Sequence, residues 1–475
     1  MEHDLNSSQS VKIARRLFAG NRASVFLQPA PRLRGSSGVH MLRIYSQSLG
    51  CPKNRVDTER LLGSLGNPSL GEPIVTVAEP EDADLVFINT CAFIGPAVEE
   101  SVQTIVQMAA DLEDLPERPL FAVGGCLPGR YGVAELAKEI PEVDLWLHAS
   151  DVDAWPAMLA DALKLKNPEP GRLLSTGPSY AWLKIGEGCR HRCSFCTIPS
   201  IRGSHISAPA EGLETEARAL LDQGVKEIVL VAQDVTAWGS ELAGGKGDLR
   251  PLLERLLPLS GLERLRLMYL YPAGLTDELL AFLASAGKPF IPYFDMPLQH
   301  ADSDVLARMG RPFARDPQIV VDRIRRHFPD AALRTTLITG FPGETDANFG
   351  KLVEFVERNC FHHLGVFAYE AEEGTPAAAM PDQVPEKLRR ERRDEIMDLQ
   401  RDISEDILSA YEGENLDILV DAPHGEWPGL HIGRAWFQAP EVDGVTYVSG
   451  PGVEPGKVVR AEITETGEYD LTALA

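Results

Sequence analysis

Six cysteines carry the chemistry of this chain, and their spacing divides them into two sets. In the run Glu187-Gly-Cys189-Arg-His-Arg-Cys193-Ser-Phe-Cys196, three thiols follow a Cys-x3-Cys-x2-Cys pattern with an aromatic, Phe195, before the last. Thiolates this close bind soft metals, and three of them suit an iron–sulfur cluster, which normally takes four cysteines. Three ligands on four irons leave one iron open to a substrate or cofactor. A zinc knuckle short of its fourth ligand, with His191 inside the loop, and chance clustering are the alternatives. The second set is scattered. Cys51 follows the apolar run Leu42–Tyr45, Cys91 follows Asp84–Asn89, and Cys126 follows Leu120–Val123. Each run reads as a strand. Strands alternating with helices argue a parallel sheet, in which ligands gather beyond the carboxyl ends. Three cysteines far apart in sequence then converge, and a second three-cysteine cluster site is expected. Taken singly, each reads first as an ordinary buried apolar residue, and it is the three equivalent positions that favour a site.

Further strands must position the first loop. After a Pro/Gly/Ser-rich linker, Pro168–Pro178, strand Ala181–Ile185 runs straight into Cys189. Strands Ile228–Ala232, Leu265–Leu270, Pro292–Met296, Leu333–Thr339 and Leu364–Phe367 follow at helix-separated intervals. Six βα-type units are too few for a closed eight-stranded barrel but enough for a partial one, with its site at the carboxyl ends of the strands. Polar or special residues recur there: Gln233-Asp234, Tyr271-Pro272, Gln299-His300, Gly340-Phe-Pro-Gly343-Glu344 and Tyr369-Glu370. By strand-end position, Gln233, His300, Arg334, Gly340 and Glu344 are candidate cofactor contacts, together with Phe195. A structural histidine and a simple turn are the bland readings of His300 and Gly340–Glu344. The charged stretch Glu386–Leu408 reads as a solvated helix with i,i+4 pairs. Cys360 reads as packing or surface, and the adjacent His362 and His363 point apart. From Tyr411, short runs separated by Gly, Pro and Asp read as a small antiparallel barrel of about five strands.

The expected fold class is therefore α/β. A parallel-sheet domain (41–167) precedes a partial six-stranded (β/α) barrel (178–408) and a small C-terminal β-barrel (411–475). Residues 1–40 are polar and aperiodic and read as a disordered extension. Arg15-Arg16-Leu17-Phe18 faintly resembles a transit peptide, against which Glu2 and Asp4 count, and Met41 begins the ordered pattern. No apolar run reaches the roughly 20 residues that span a membrane. Seven cysteines in 475 residues, three in one tight run, do not form a secreted disulfide framework, and a reducing cytoplasm is the expected compartment. The 70 Asp+Glu against 46 Lys+Arg give a net charge of −24. That argues against a general nucleic-acid grip and permits a basic partner. Residues 411–475 alone hold twelve acidic and three basic side chains, a net of −9.

The Cys189/Cys193/Cys196 loop with Phe195 resembles the hallmark of the radical S-adenosylmethionine (SAM) superfamily. Ser48-Leu-Gly-Cys51-Pro-Lys-Asn, Asn89-Thr-Cys91-Ala-Phe-Ile and Gly124-Gly-Cys126-Leu look like the methylthiotransferase N-terminal domain. Asp295-Met-Pro-Leu-Gln-His300, Arg308-Met-Gly-Arg311, Thr339-Gly-Phe-Pro-Gly-Glu344, Gly365-Val-Phe-Ala-Tyr369 and Glu373-Gly-Thr-Pro376 fit the same family, and the last segment resembles the TRAM domain. Glu372-Glu-Gly-Thr-Pro376 and Ala439-Pro-Glu-Val-Asp-Gly444 look like the RimO-type branch, which modifies an aspartate of small-subunit ribosomal protein twelve, rather than the branch that modifies tRNA adenosines. The acidic barrel agrees, since it attracts a basic ribosomal protein and repels RNA phosphate.

The resemblance implies two [4Fe-4S] clusters. The Cys189, Cys193 and Cys196 cluster binds SAM at its open iron and cleaves it to methionine and a 5′-deoxyadenosyl radical, which takes hydrogen from the aspartate β-carbon. The Cys51, Cys91 and Cys126 cluster presents sulfur, and a second SAM supplies the methyl group. An electron donor of the flavodoxin or ferredoxin kind is implied. A tRNA adenosine methylthiotransferase, with tRNA as partner, is the competing enzyme. A two-cluster electron carrier or sensor is the non-enzyme alternative.

Overall fold

The computed structural model describes residues 41–66, 73–165, 168–241, 247–311 and 316–475. The expected extension at 1–40 lies outside them. The chain forms two compact units. The first takes the chain up to Ser175 together with Cys196–Gly203 and Glu372–Thr375, and the second takes the remainder.

The first unit is built on strands β1 (Leu42–Ser48), β2 (Ile74–Thr76), β3 (Leu85–Thr90), β4 (Leu120–Gly125) and β5 (Leu145–His148). They form one parallel sheet in the order β2-β1-β3-β4-β5. Side chains alternate across it. Val86, Ile88, Phe121 and Val123 face the helix Gly95–Glu113, while Leu85, Phe87, Leu120 and Ala122 face the helices Pro52–Leu65 and Trp155–Leu163. Both faces are covered, so the central strands read as unbroken apolar runs. Each such side chain, fully buried, contributes about 1.5–3 kcal/mol. Strands β2 and β5 were not among the sequence expectations. One is a three-residue edge strand, and the other is shortened by a charged flank and a terminal histidine.

The second unit contains β6 (Tyr180–Lys184), the two-residue pair β7 (Gly186–Glu187) and β8 (Ile206–Ser207), β9 (Glu227–Val231), β10 (Arg264–Leu267), β11 (Phe290–Asp295), β12 (Ala332–Thr339) and β13 (His363–Ala368). Apart from the small β7–β8 ribbon, these strands form an open, all-parallel sheet in sequential order from β6 to β13. All six carboxyl ends therefore lie along one edge. The remaining strands are β14 (Asn415–Pro423), β15 (Leu430–Arg434), β16 (Thr446–Ser449), β17 (Val458–Thr466) and β18 (Leu471–Leu474). They close into a barrel, β14-β15-β16-β18-β17. It is not purely antiparallel as expected. β16 and β18 pair in parallel, because a single reversing strand, β17, separates them in sequence.

This barrel belongs to the second unit because its charges are buried against the amino ends of the parallel strands. Arg434 donates to Glu227 (2.7 Å) and Asp421 (2.7 Å), and Arg266 donates to Glu227 (2.6 Å). Burial alone pushes the Glu227 carboxyl up, but Arg266, Arg434 and Arg264 outweigh it and hold it at about 2. Asp443 accepts from Tyr293 (2.7 Å) and from Arg334, and His363 Nδ1 stands 3.4 Å away.

Candidate active site

The Cys189 loop leaves the carboxyl end of β6 and is pinned along its length. Lys184, the last residue of β6, donates to Glu187 (2.9 Å), and Gln233 donates to the other oxygen of that carboxylate (2.6 Å). His191 lies 2.7 Å from Asp234 and stacks on Tyr271 at 3.7 Å between centroids. Arg311 lies over the same tyrosine ring. The Ser194 amide donates to the Met309 carbonyl (3.0 Å), and its hydroxyl donates to the Arg308 carbonyl (2.8 Å). Phe195 packs edge-on against Phe341 in a cluster with Met309, Ile338 and Tyr369. It anchors the loop. Four strand ends thus fix the backbone that carries Cys189 and Cys193. Cys196 follows as the first residue of the segment Cys196–Gly203 and is half-buried.

His300, Gly340 and Glu344 come together in one buried network. Glu344 Oε2 accepts from the Gly340 amide (2.9 Å) and stands 3.3 Å from His300 Nε2, while Oε1 accepts from Arg392 (2.8 Å). His300 Nδ1 accepts from the Asp302 amide, so its proton sits on Nε2, facing the carboxylate. Gly340 has φ 71°, and a Cβ there would stand 2.0 Å from Arg389 Cγ. Only glycine fits. The helix Glu386–Ser409 is therefore not merely solvated. Its i,i+4 pairs exist, for example Glu386 with Arg390, but Arg392 is buried beneath the network.

Arg334 departs from expectation. It is the third residue of β12, opposite the first residue of β13, and is committed to Asp443. On its other side it pairs with Asp295, the last residue of β11, but its guanidinium is held by the barrel residue Asp443. Asp443 itself belongs to the Ala439–Gly444 motif, whose buried side chain joins the barrel to the sheet. Glu372 likewise has a structural role. It caps Gly95 (2.7 Å) and pairs with Arg130 (2.7 Å) inside the first unit. Cys360 is exposed at a helix end.

In the first unit, Cys51, Cys91 and Cys126 meet beyond the ends of β1, β3 and β4. Burial pushes the Cys91 thiol up to about 12, and the neighbouring Cys51 and Cys126 add to the rise. Gly50 (φ 83°) lies so close that a Cβ would stand 2.8 Å from Cys91 Sγ. Burial also raises Cys189, to about 11. Crowded thiols that resist losing a proton in water's absence suit a bound cation, whose charge reverses that preference. Among the described residues no three Cys, His, Asp or Glu side chains gather round a single-ion position. In a polynuclear cluster each thiolate takes a different iron, so its ligands need not meet at one point. Asn54, the last residue of the Ser48–Asn54 motif, and Arg202, which sequence reasoning missed, are buried beside the trio. No local signal marks Arg202, because its partners Asp57 and Asn54 are distant in sequence.

Family models match along the chain. The radical SAM superfamily covers residues 183–356, the uncharacterized protein family UPF0004 covers 43–148, and the TRAM domain covers 413–475. A ribosomal protein uS12 methylthiotransferase RimO of Nitratidesulfovibrio vulgaris is 65% identical over 92% of this chain and 100% of its own length. The protein of that name from Oleidesulfovibrio alaskensis is 63% identical over the same shares. The chain belongs to this family of radical SAM methylthiotransferases. The family works with SAM and [4Fe-4S] clusters, and the two cysteine trios match that equipment. Among solved structures, the radical SAM methyltransferase TsrM from Kitasatospora setae shares the fold, with a TM-score of 0.53 at 14% identity over 82% of this chain and 77% of its own. No helix among the described residues is long and apolar enough to cross a membrane.

Proposed function

We propose that the protein attaches a methylthio group to the β-carbon of an aspartate in small-subunit ribosomal protein twelve, in the cytoplasm, with electrons from a flavodoxin- or ferredoxin-type donor. We read 41–167 as the sulfur-presenting domain, 178–408 as the radical-generating domain and 411–475 as a docking barrel. The observation that carries the reading is the convergence of Cys51, Cys91 and Cys126 in one unit of a chain that also has a separate Cys-x3-Cys-x2-Cys loop. Cys189, Cys193 and Cys196 would hold one cluster, and Cys51, Cys91 and Cys126 the other. When bound, these groups with SAM supply a radical that takes hydrogen from carbon, and the sulfur and methyl that replace it.

The chain's own residues do the positioning. Glu187, His191 and Ser194 hold the loop rigid, so its thiolates present a fixed face. SAM would lie at the strand ends that hold Gln233, with Phe195 and the buried His300, Gly340 and Glu344 as the support behind it. Asn54 donates to the carbonyls of Leu49 and Thr90 (both 2.9 Å), which ties the loop of Cys51 to the loop of Cys91.

The C-terminal barrel supports a basic protein as substrate. Its three cations pair locally: Arg434 with Asp421, Lys457 with Glu454 (2.7 Å) and Arg460 with Asp417 (3.1 Å). Glu412, Glu414, Glu426, Glu462 and Glu465 remain exposed. Such a face attracts a cationic protein and repels phosphate. The test is mass spectrometry of ribosomal proteins from cells with and without the gene. A methylthio gain on an aspartate of protein twelve is expected. A gain on tRNA adenosine instead would sink the assignment, and no 5′-deoxyadenosine from SAM and reductant would make the protein an electron carrier.

A further inference from the structure

Arg202 is buried in the first unit with 2% of its side chain exposed, and its three nitrogens reach three groups. Nη1 donates to Asp57 (3.0 Å), Nη2 to the Asn54 side-chain oxygen (2.5 Å), and Nε to the sulfur of Cys126 (3.4 Å). Asp57 is itself 1% exposed. Asn54 is the residue that holds the carbonyls beside Cys51 and Cys91, and its side-chain oxygen lies 4.0 Å from the Cys126 sulfur. Asp57 and Asn54 thus fix the guanidinium plane, which leaves Nε directed at a thiol. The charge of Arg202 also acts on Cys91. Asp57 balances the buried charge, and the remaining N–H finds its strongest acceptor in a sulfur made anionic by binding iron.

We propose that Arg202 is a positioning residue of the second cysteine trio, and that its hydrogen bond to the Cys126 sulfur raises the reduction potential of the group held there. The inference rests on the reading of Cys51, Cys91 and Cys126 as cluster ligands. Electron counting gives the raised potential a use. When a substrate carbon radical bonds to a sulfur held at that cluster, the new bond takes one electron from carbon and one from a sulfur lone pair. The other electron of the pair would have to be taken up by the group that Cys51, Cys91 and Cys126 hold, and an iron–sulfur cluster there would supply that one-electron capacity. A cation at a ligand sulfur stabilises the more negative, reduced state. Arg202 lies six residues after Cys196 in the segment Cys196–Gly203. One short stretch therefore begins with a ligand of the first trio and ends against a ligand of the second.

The test is an EPR-monitored redox titration of the reconstituted full-length protein. Added SAM shifts the signal of the loop cluster and so tells the two apart. Arg202→Gln is expected to move the second cluster to a more negative potential and leave the first unchanged. Asp57→Asn, which keeps the guanidinium but removes its counter-charge, is expected to move it the opposite way. Arg202→Lys keeps the charge and is expected to fall between Arg202→Gln and wild type. Opposite shifts are not what a merely structural ion pair would give. Unchanged potentials, shifts of one sign in Arg202→Gln and Asp57→Asn, or loss of the second cluster from all three variants would each overturn the proposal. An iron count near four in the wild type would instead overturn the ligand reading on which it rests.

Discussion

The two edges of the six-stranded sheet are both rich in buried charge, and they do opposite work. At the amino edge, Glu227, Arg434, Asp443, Arg334 and His363 answer one another across strands and barrel. At the carboxyl edge, His300, Glu344 and Arg392 form a buried network, and the loop after β6 carries thiols that stay half-buried. The amino edge is closed by its own partners. The carboxyl edge ends in loops, a left-handed glycine and half-buried thiols. Buried ion pairs and perturbed pKa values occur in structural networks as readily as in active sites. The difference here lies in what each network leaves available to a ligand.

The sharpest way to break the comparison is to damage each edge in turn. Cys193→Ala should reduce SAM cleavage to background and drop iron from about eight to about four per chain. Cys91→Ala should lose similar iron yet keep part of the SAM cleavage while stopping product formation. Next in size, Asp443→Ala removes the acceptor of Tyr293 and Arg334 and should cost about 3–5 kcal/mol in anaerobic urea unfolding. SAM cleavage per folded molecule should not change. If Asp443→Ala silenced cleavage as Cys193→Ala does, the two edges would not be separable.

What was legible in the sequence follows the same division. The strands β1, β3 and β4 and the six-stranded sheet were readable because strands covered on both faces are continuous apolar runs, and the strand ends flagged His300, Gly340 and Glu344. The amino edge was not readable. Arg264-Leu-Arg266-Leu looks like a half-solvated strand, yet all four residues are buried. The acid that accepts from Arg266, Glu227, also binds Arg434, which lies 207 residues further along the chain. Nothing local announces such a partner. For the same reason Arg334 was read as a cofactor contact, and the Ala439–Gly444 motif, which marked the family branch, gave no sign of the buried role of Asp443. Arg202 was invisible because Asp57 is 145 residues away.

A smaller effect tests whether the carboxyl network is more than scaffold. Glu344→Gln keeps the shape but weakens the bonds to Arg392 and Gly340. As a support behind the site it should lower SAM cleavage about 10–100-fold with iron content unchanged. A loss of stability with no loss of cleavage would make this network the twin of the amino edge.

The smallest effect is in pH. His362 precedes β13 at the amino edge, and burial, then the charges of His363 and Arg325, push it down to about 4. An unfolded histidine titrates near about 6.5. Above that pH both states are neutral and nothing changes. Between about 6.5 and 4 only the unfolded chain takes up the proton, so stability falls with pH by up to about 1.4 kcal/mol per unit. Below that range both states are charged and the loss stops. His362→Gln should remove this slope, so that stability drops less between pH 7 and pH 5 than in the wild type, by roughly 2 kcal/mol. Its rate of SAM cleavage against pH should superimpose on that of the wild type. A shifted rate profile would mean that a titration at the amino edge reaches the carboxyl edge through the strands, and the two edges would then be coupled rather than merely joined.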